Sequence, residues 1–115
     1  MKNLLEGKII RMRWSKKYKE ASSHVIIGQV REENSKYMII EGKTFHFRKL
    51  ISSTRNGILE GALCQRVIPW DAIEVMHILP EKTDYSCSFT FDKTGNLLLD
   101  NKHKTLIARC QDFDD

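Results

Sequence analysis

Apolar and polar residues alternate in several short runs of this chain with the two-residue period of extended backbone. From Lys8 to Trp14, Ile10, Met12 and Trp14 fall on one side, and Ile9, Arg11 and Arg13 on the other. His24 to Arg31 is rich in β-branched residues around a single glycine, Gly28, which predicts a strand that bends sharply at that point. Glu32 to Ser35 has turn composition, Tyr37 to Glu41 predicts the next strand, and Gly42 predicts a turn before Thr44 to Leu50. In that run Phe45 and Phe47 face one way, with Thr44, His46 and Arg48 facing the other. Short connections between strands of this kind predict an antiparallel meander.

Arg66 to Leu79 organises the rest. Two β-rich runs, Arg66 to Ile68 and Ile73 to Leu79, are separated only by Pro69-Trp70-Asp71-Ala72. Pro69 cannot donate to a ladder and holds φ near −65°, so it ends one strand and opens a single 3₁₀ turn. The second run is apolar on both faces, which predicts packing outside the first layer or a subunit contact. After the linker Pro80 to Asp84, Tyr85 to Phe91 carries Tyr85, Cys87, Phe89 and Phe91 on one face. Asp92 to Asn96 is a hairpin turn with Gly95 at its left-handed position, and Leu97 to Leu99 returns. A lone hairpin is unstable in water, so this one must lie on the first unit or on a neighbouring chain, where it could cover the strand from Ile73. Lys102 to Cys110 fits a short helix or a strand equally. Together these runs predict a mainly β chain, with a small antiparallel barrel over residues 1–80. Residues 81–115 add a C-terminal β-hairpin and acidic tail to the same single domain.

Charge changes the picture. The 115 residues carry a net +4, but residues 1–68 hold 14 Lys/Arg against 6 Asp/Glu and residues 69–115 hold 5 against 9. The basic half is the candidate surface for an anionic partner. Ser15 to Ser23 has no apolar face and gathers Lys16, Lys17, Tyr18 and Lys19, a group able to neutralise phosphates and stack a base. Arg11, Arg13, His46 and Arg48 are expected on outward strand faces, with Arg55 near the tip of the 51–61 connection. Tyr18 and Tyr37 are the candidate exposed aromatics, and Trp14 and Trp70 read as core.

Other chemistry finds no support. The four histidines have no metal-ligand spacing, and neither a nucleophile elbow nor a glycine-rich phosphate loop occurs, so no catalytic residue, metal or cofactor is expected. Cys64 and Cys87 read as core thiols, and three cysteines without a C-x-x-C pair argue against a secreted disulfide framework. No apolar run approaches the roughly 18 residues that cross a bilayer, and no signal-peptide pattern opens the chain, which points to the cytoplasm and no membrane partner.

The basic first strand, the bent strand with Gly28, the meander and the Val67-Ile68-Pro69-Trp70-Asp71-Ala72-Ile73-Glu74-Val75 closure resemble Sm-like small barrels, and more loosely SH3-like and PRC-type barrels. The resemblance spans about Lys8 to Leu79. It implies a five-stranded barrel that often binds RNA and often assembles through its last strands. The Ile/Leu-Arg/Lys-Gly turn of Sm proteins is replaced here by Ile68-Pro69-Trp70, so their ring-lining RNA contacts are not carried over. The expected function is non-enzymatic binding of RNA or single-stranded nucleic acid through the basic face. The alternatives are a protein-interaction or homo-oligomeric assembly module and, third, a small-ligand regulatory barrel.

Overall fold

The computed structural model describes residues 4–15, 23–47 and 58–109, which are mainly β and contain no helix beyond one 3₁₀ turn. The strands are β1 (Ile9–Trp14), β2 (Ser23–Glu33), β3 (Tyr37–Phe47), β4 (Leu59–Glu60), β5 (Cys64–Pro69), β6 (Ile73–Ile78), β7 (Phe89–Phe91), β8 (Leu97–Leu99) and β9 (Leu106–Ala108). Two antiparallel sheets result. The first runs β4-β3-β2-β1-β6 with β5 also paired to β3, and the second runs β7-β8-β9.

The long hairpin β2–β3 is the frame. Its ladder extends from Ser23 opposite Phe47 to Glu33 opposite Met38, with one irregularity between Val30 and Glu32. Asn34 closes the turn, its Oδ1 accepting from the backbone N–H groups of Lys36 (2.8 Å) and Tyr37 (3.0 Å). The expected turn at Gly42 does not exist, because β3 runs straight through it. Gly42 sits opposite Gly28 in the ladder, and a Cβ on Gly28 would come within 2.5 Å of Gly42 Cα and overlap the Glu41 carbonyl oxygen. The glycines mark a close backbone approach in two continuous strands rather than a reversal.

Both faces of this hairpin are buried, which explains the unbroken apolar run Val25-Ile26-Ile27. One face joins Ile10, Met12, Ile26, Val30, Met38, Ile40 and Ile68, with Trp14, Trp70, Ile73 and Met76 packed at its margin. Ile68 of β5 and Met76 of β6 come from opposite sides of the strand order yet meet the same cluster, so the sheet is strongly curled. No ladder joins β5 to β6, and the sheet is therefore open rather than closed. The 3₁₀ turn Trp70–Ala72 links them as the Pro-Trp-Asp-Ala spacing predicts, with Pro69 at φ −66° before it. Trp70 ties this turn to the far end of the hairpin, its Nε1–H donating to Asn34 O (2.7 Å) and its backbone N–H to Lys36 O (3.2 Å).

The other face of the hairpin carries Val25, Ile27, Phe45 and Phe47 against Phe89, Leu97, Leu99 and Ile107 of the second sheet. Phe45 and Phe89 meet edge to face, with ring centroids 6.3 Å apart. The C-terminal unit is three strands rather than a hairpin, since the undecided segment 102–110 supplies β9. Its first strand begins only at Phe89, because the Asp84 carboxylate accepts from the backbone N–H (3.0 Å) and hydroxyl (2.6 Å) of Ser86 and draws that stretch out of a ladder. Gly95 has φ +88°, as its place in the turn after Asp92 requires. The second sheet does not cover β6, whose Val75 and Ile78 remain 38% and 60% exposed. The apolar face of the second sheet instead meets the larger aromatic and β-branched surface of β2 and β3.

Candidate functional site

The β1–β2 and β3–β4 connections leave the first sheet at one end. The chain departs after Ser15 and returns at Ser23, departs again after Phe47 and returns by Ile58, and ladder pairing places all four points together. Residues 16–22 and 48–57 lie outside the described residues, and with them Lys16, Lys17, Tyr18, Lys19, Arg48 and Arg55. By sequence these two segments carry six Lys/Arg against one Glu, a net +5 in a chain whose whole charge is +4. The two connections that start from this end thus carry a net positive charge at least as large as that of the whole chain.

At the same end, the first face of the sheet presents Trp14, His24 and His46. His24 and His46 are directly opposite in the ladder, their rings are in edge-to-face contact, and Trp14 lies 4.5 Å from His24 centroid to centroid. His46, expected on an outward face, is half-buried here, because that face is the inside of the curled sheet. Arg66 borders the pair, its guanidinium donating to the carbonyls of Gly42 (2.9 Å) and Ala62 (3.1 Å). Burial first, then the charges of His46 and Arg66, hold His24 down to about 4, and burial followed by Arg66 lowers His46 as well. Both rings are therefore neutral at pH 7 and available for stacking and hydrogen bonding rather than for ion pairing.

A stability consequence follows from His24. Between the ordinary histidine value near 6.5 and about 4 the unfolded chain binds a proton that the folded chain refuses, so stability falls as pH drops through that window and His24 contributes no further change below it. The His24→Gln variant should lose less of its melting temperature between pH 7 and pH 4 than the parent chain. Parallel melting curves for the two proteins would remove this role for His24.

Arg11 and Arg13 lie on the opposite face, toward the second sheet. Arg11 donates from Nη1 to the Leu106 carbonyl of β9 (2.9 Å) and from Nη2 to His77 Nδ1 (3.1 Å), so it pins the two sheets together. Arg13 pairs with Glu74, its Nε and Nη2 at 3.0 and 2.5 Å from Oε1. A cleft of about 340 Å³ opens here between β1, β6 and β9, lined by both arginines, His77, Arg109 and the apolar side chains of Val25, Phe47, Val75 and Ile107. The predicted basic residues thus divide: Arg11 and Arg13 line the cleft, His46 sits on the other face, and Tyr37 is half-buried at the far end of β3.

Sequence reasoning missed His24, Arg66, His77 and Arg109. The His24–His46 pair depends on β2–β3 register across 22 residues of chain, and Arg109 joins Arg11 in the cleft only once β9 has docked. Cys64, expected in the core, is exposed at the start of β5, because β5 is an edge strand there. Cys87 is half-buried, and burial followed by its hydrogen bond to Asp84 raises its thiol above the ordinary value, which disfavours the nucleophilic thiolate. Among the described residues no three His, Cys, Asp or Glu side chains are placed to hold a metal ion, and no helix is long and apolar enough to cross a membrane. No protein-family model, curated protein or solved structure matches the chain.

Proposed function

We propose that this chain is a non-enzymatic, cytoplasmic binding module of the small-barrel type that holds RNA or another single-stranded nucleic acid at the end of its first sheet. One observation carries the reading: the two connections that hold the chain's net positive charge depart from the same sheet end, beside a half-buried group of Trp14, His24 and His46. Cations that neutralise phosphates supply affinity without regard to sequence, and aromatic rings accept any base by stacking. The basic segments 16–22 and 48–57 are the backbone-tracking surface in this reading, with Tyr18 a stacking residue. The strand order β5-β3-β2-β1-β6 and the 3₁₀ turn between β5 and β6 support the resemblance to Sm-like and SH3-like barrels, with the sheet curled but open. Arg13 has a smaller part than its place in the sequence suggests, because Glu74 already neutralises it.

The test is fluorescence anisotropy of a labelled mixed-sequence RNA at about 50 and about 200 mM salt, a range over which several phosphate contacts cost orders of magnitude in affinity. Steep loss supports phosphate-led binding; absence of binding at the lower salt rejects it. A second reading rests on a separate observation. Strand β6 is an edge with Val75 and Ile78 exposed, and Val67 of β5 is 59% exposed, which suits assembly with a protein partner or a second copy. Association through those residues would persist at high salt.

A further inference from the structure

Arg66 of β5, Thr44 and His46 of β3, His24 of β2 and Trp14 of β1 form a row across the inner face of the first sheet at its basic end. Thr44 is only 5% exposed, yet its hydroxyl and the ring nitrogens of His24 and His46 make no hydrogen bond among the described residues. None of these atoms is sealed from solvent without a partner, so all of them are open to a ligand. Arg66 is held in place by carbonyls, Nη1 donating to Gly42 O (2.9 Å) and Cys64 O (3.5 Å) and Nη2 to Ala62 O (3.1 Å). Of the five N–H groups of an arginine, this leaves Nε–H and one on Nη2, along the edge by which Arg13 meets Glu74. Among the described residues no carboxylate pairs with Arg66, and its charge is felt at both imidazoles. A Cβ on Gly61 would overlap Thr44 Oγ1 and stand 3.2 Å from Arg66 Nη2, so the hydroxyl and the guanidinium flank one point that carries no side chain.

We propose that this row reads one unpaired guanine of the bound strand, with O6 and N7 on the Nε–Nη2 edge of Arg66 and the base plane against the Trp14 and His24 rings. The inference rests on the strand-binding reading and adds to it the base that is preferred. A guanidinium edge offers two donors and no acceptor, which matches the adjacent acceptors O6 and N7 of guanine. Adenine presents an amino donor beside its N7 and leaves one N–H of Arg66 facing another donor. Cytosine also has paired acceptors, but a single ring gives it less surface to stack. The neutral imidazoles and the Thr44 hydroxyl can accept from the N1–H and amino group of guanine.

Anisotropy of the full chain with labelled oligouridylates at about 50 mM salt tests it, one strand being all uracil and the others carrying a single central guanine, adenine or cytosine. The guanine strand should bind at least about fivefold more tightly than the adenine and all-uracil strands. Replacing the guanine by 7-deazaguanine, which has C–H in place of N7, should remove most of that gain with the protein untouched. Arg66→Lys keeps the charge and loses the planar edge, so it should bring the guanine and adenine strands within about twofold of each other while all-uracil binding is retained. Should that variant not fold, the 7-deazaguanine strand decides by itself. Equal affinity for guanine and adenine strands, tighter binding of cytosine, or a preference that 7-deazaguanine retains overturns the inference. If no strand binds, the strand-binding reading falls with it. If the all-uracil strand binds with steep salt dependence and guanine adds nothing, this inference alone is lost.

Discussion

The triple variant Lys16→Glu, Lys17→Glu, Lys19→Glu is expected to bind single-stranded RNA about a hundredfold more weakly than the parent at low salt, and to show a shallower dependence of affinity on salt. Each phosphate neutralised by the parent and not by the variant takes about 0.7 off the logarithmic salt slope of a single strand, so three of them lower the slope by about 2. Charge reversal adds repulsion to that effect. The melting temperature should stay close to the parent value, because residues 16–22 contain no apolar side chain other than Tyr18 and Ala21 and so bring little to a core. Anisotropy at several salt concentrations, with a melting curve beside it, measures both quantities. Unchanged affinity and slope would reject the β1–β2 connection as a phosphate surface. Arg13→Gln provides the contrast: with Glu74 as its present partner, its removal should change RNA affinity by less than about threefold, the range of an exposed ion pair.

Gly28→Ala should be among the most damaging single changes in the described chain. Its Cβ would overlap the Glu41 carbonyl oxygen and stand 2.5 Å from Gly42 Cα, and backbone cannot swing aside as a side-chain tip can. The strands would have to separate where they pass between two buried clusters, at a cost of about 3 kcal/mol or more. That is a large share of a stability of about 5 to 15 kcal/mol, so the urea midpoint should fall sharply. Gly7→Ala separates steric overlap from backbone conformation. Gly7 has φ +84°, and a Cβ there would meet nothing within 4 Å, so its substitution should cost only the left-handed penalty of about 1 kcal/mol. Equal destabilisation at the two positions would refute close strand approach as the reason for Gly28.

Local chemistry made much of the fold legible. Pro69 announced the end of β5 and the 3₁₀ turn because its ring removes a donor and sets φ, effects that need no neighbour. The Ile10, Met12 and Trp14 face of β1 followed from the period of extended backbone, and the Asp92 to Asn96 turn from the φ that Gly95 tolerates. Gly42 misled for the opposite reason. A glycine in isolation signals a turn as readily as a close approach, and only Gly28 across the ladder distinguishes them. His46 misled in the same way: alternation assigned its face correctly but could not say whether that face was inside or outside a curled sheet.

The sequence by itself determined that the chain is mainly antiparallel β, where most of its strands lie, how β5 turns into β6, and that the positive charge is crowded into a few short segments. These properties depend on backbone preference and side-chain charge, which act within a few residues. Only the tertiary structure decided that β2 and β3 are buried on both faces, that His24 meets His46, that β6 stays an uncovered edge, and that Arg11, Arg13, His77 and Arg109 surround one cleft. Each of these requires register or sheet docking between segments distant in sequence, and both are selected by the cooperative burial of Phe45, Phe47, Phe89 and Leu97 rather than by any local signal.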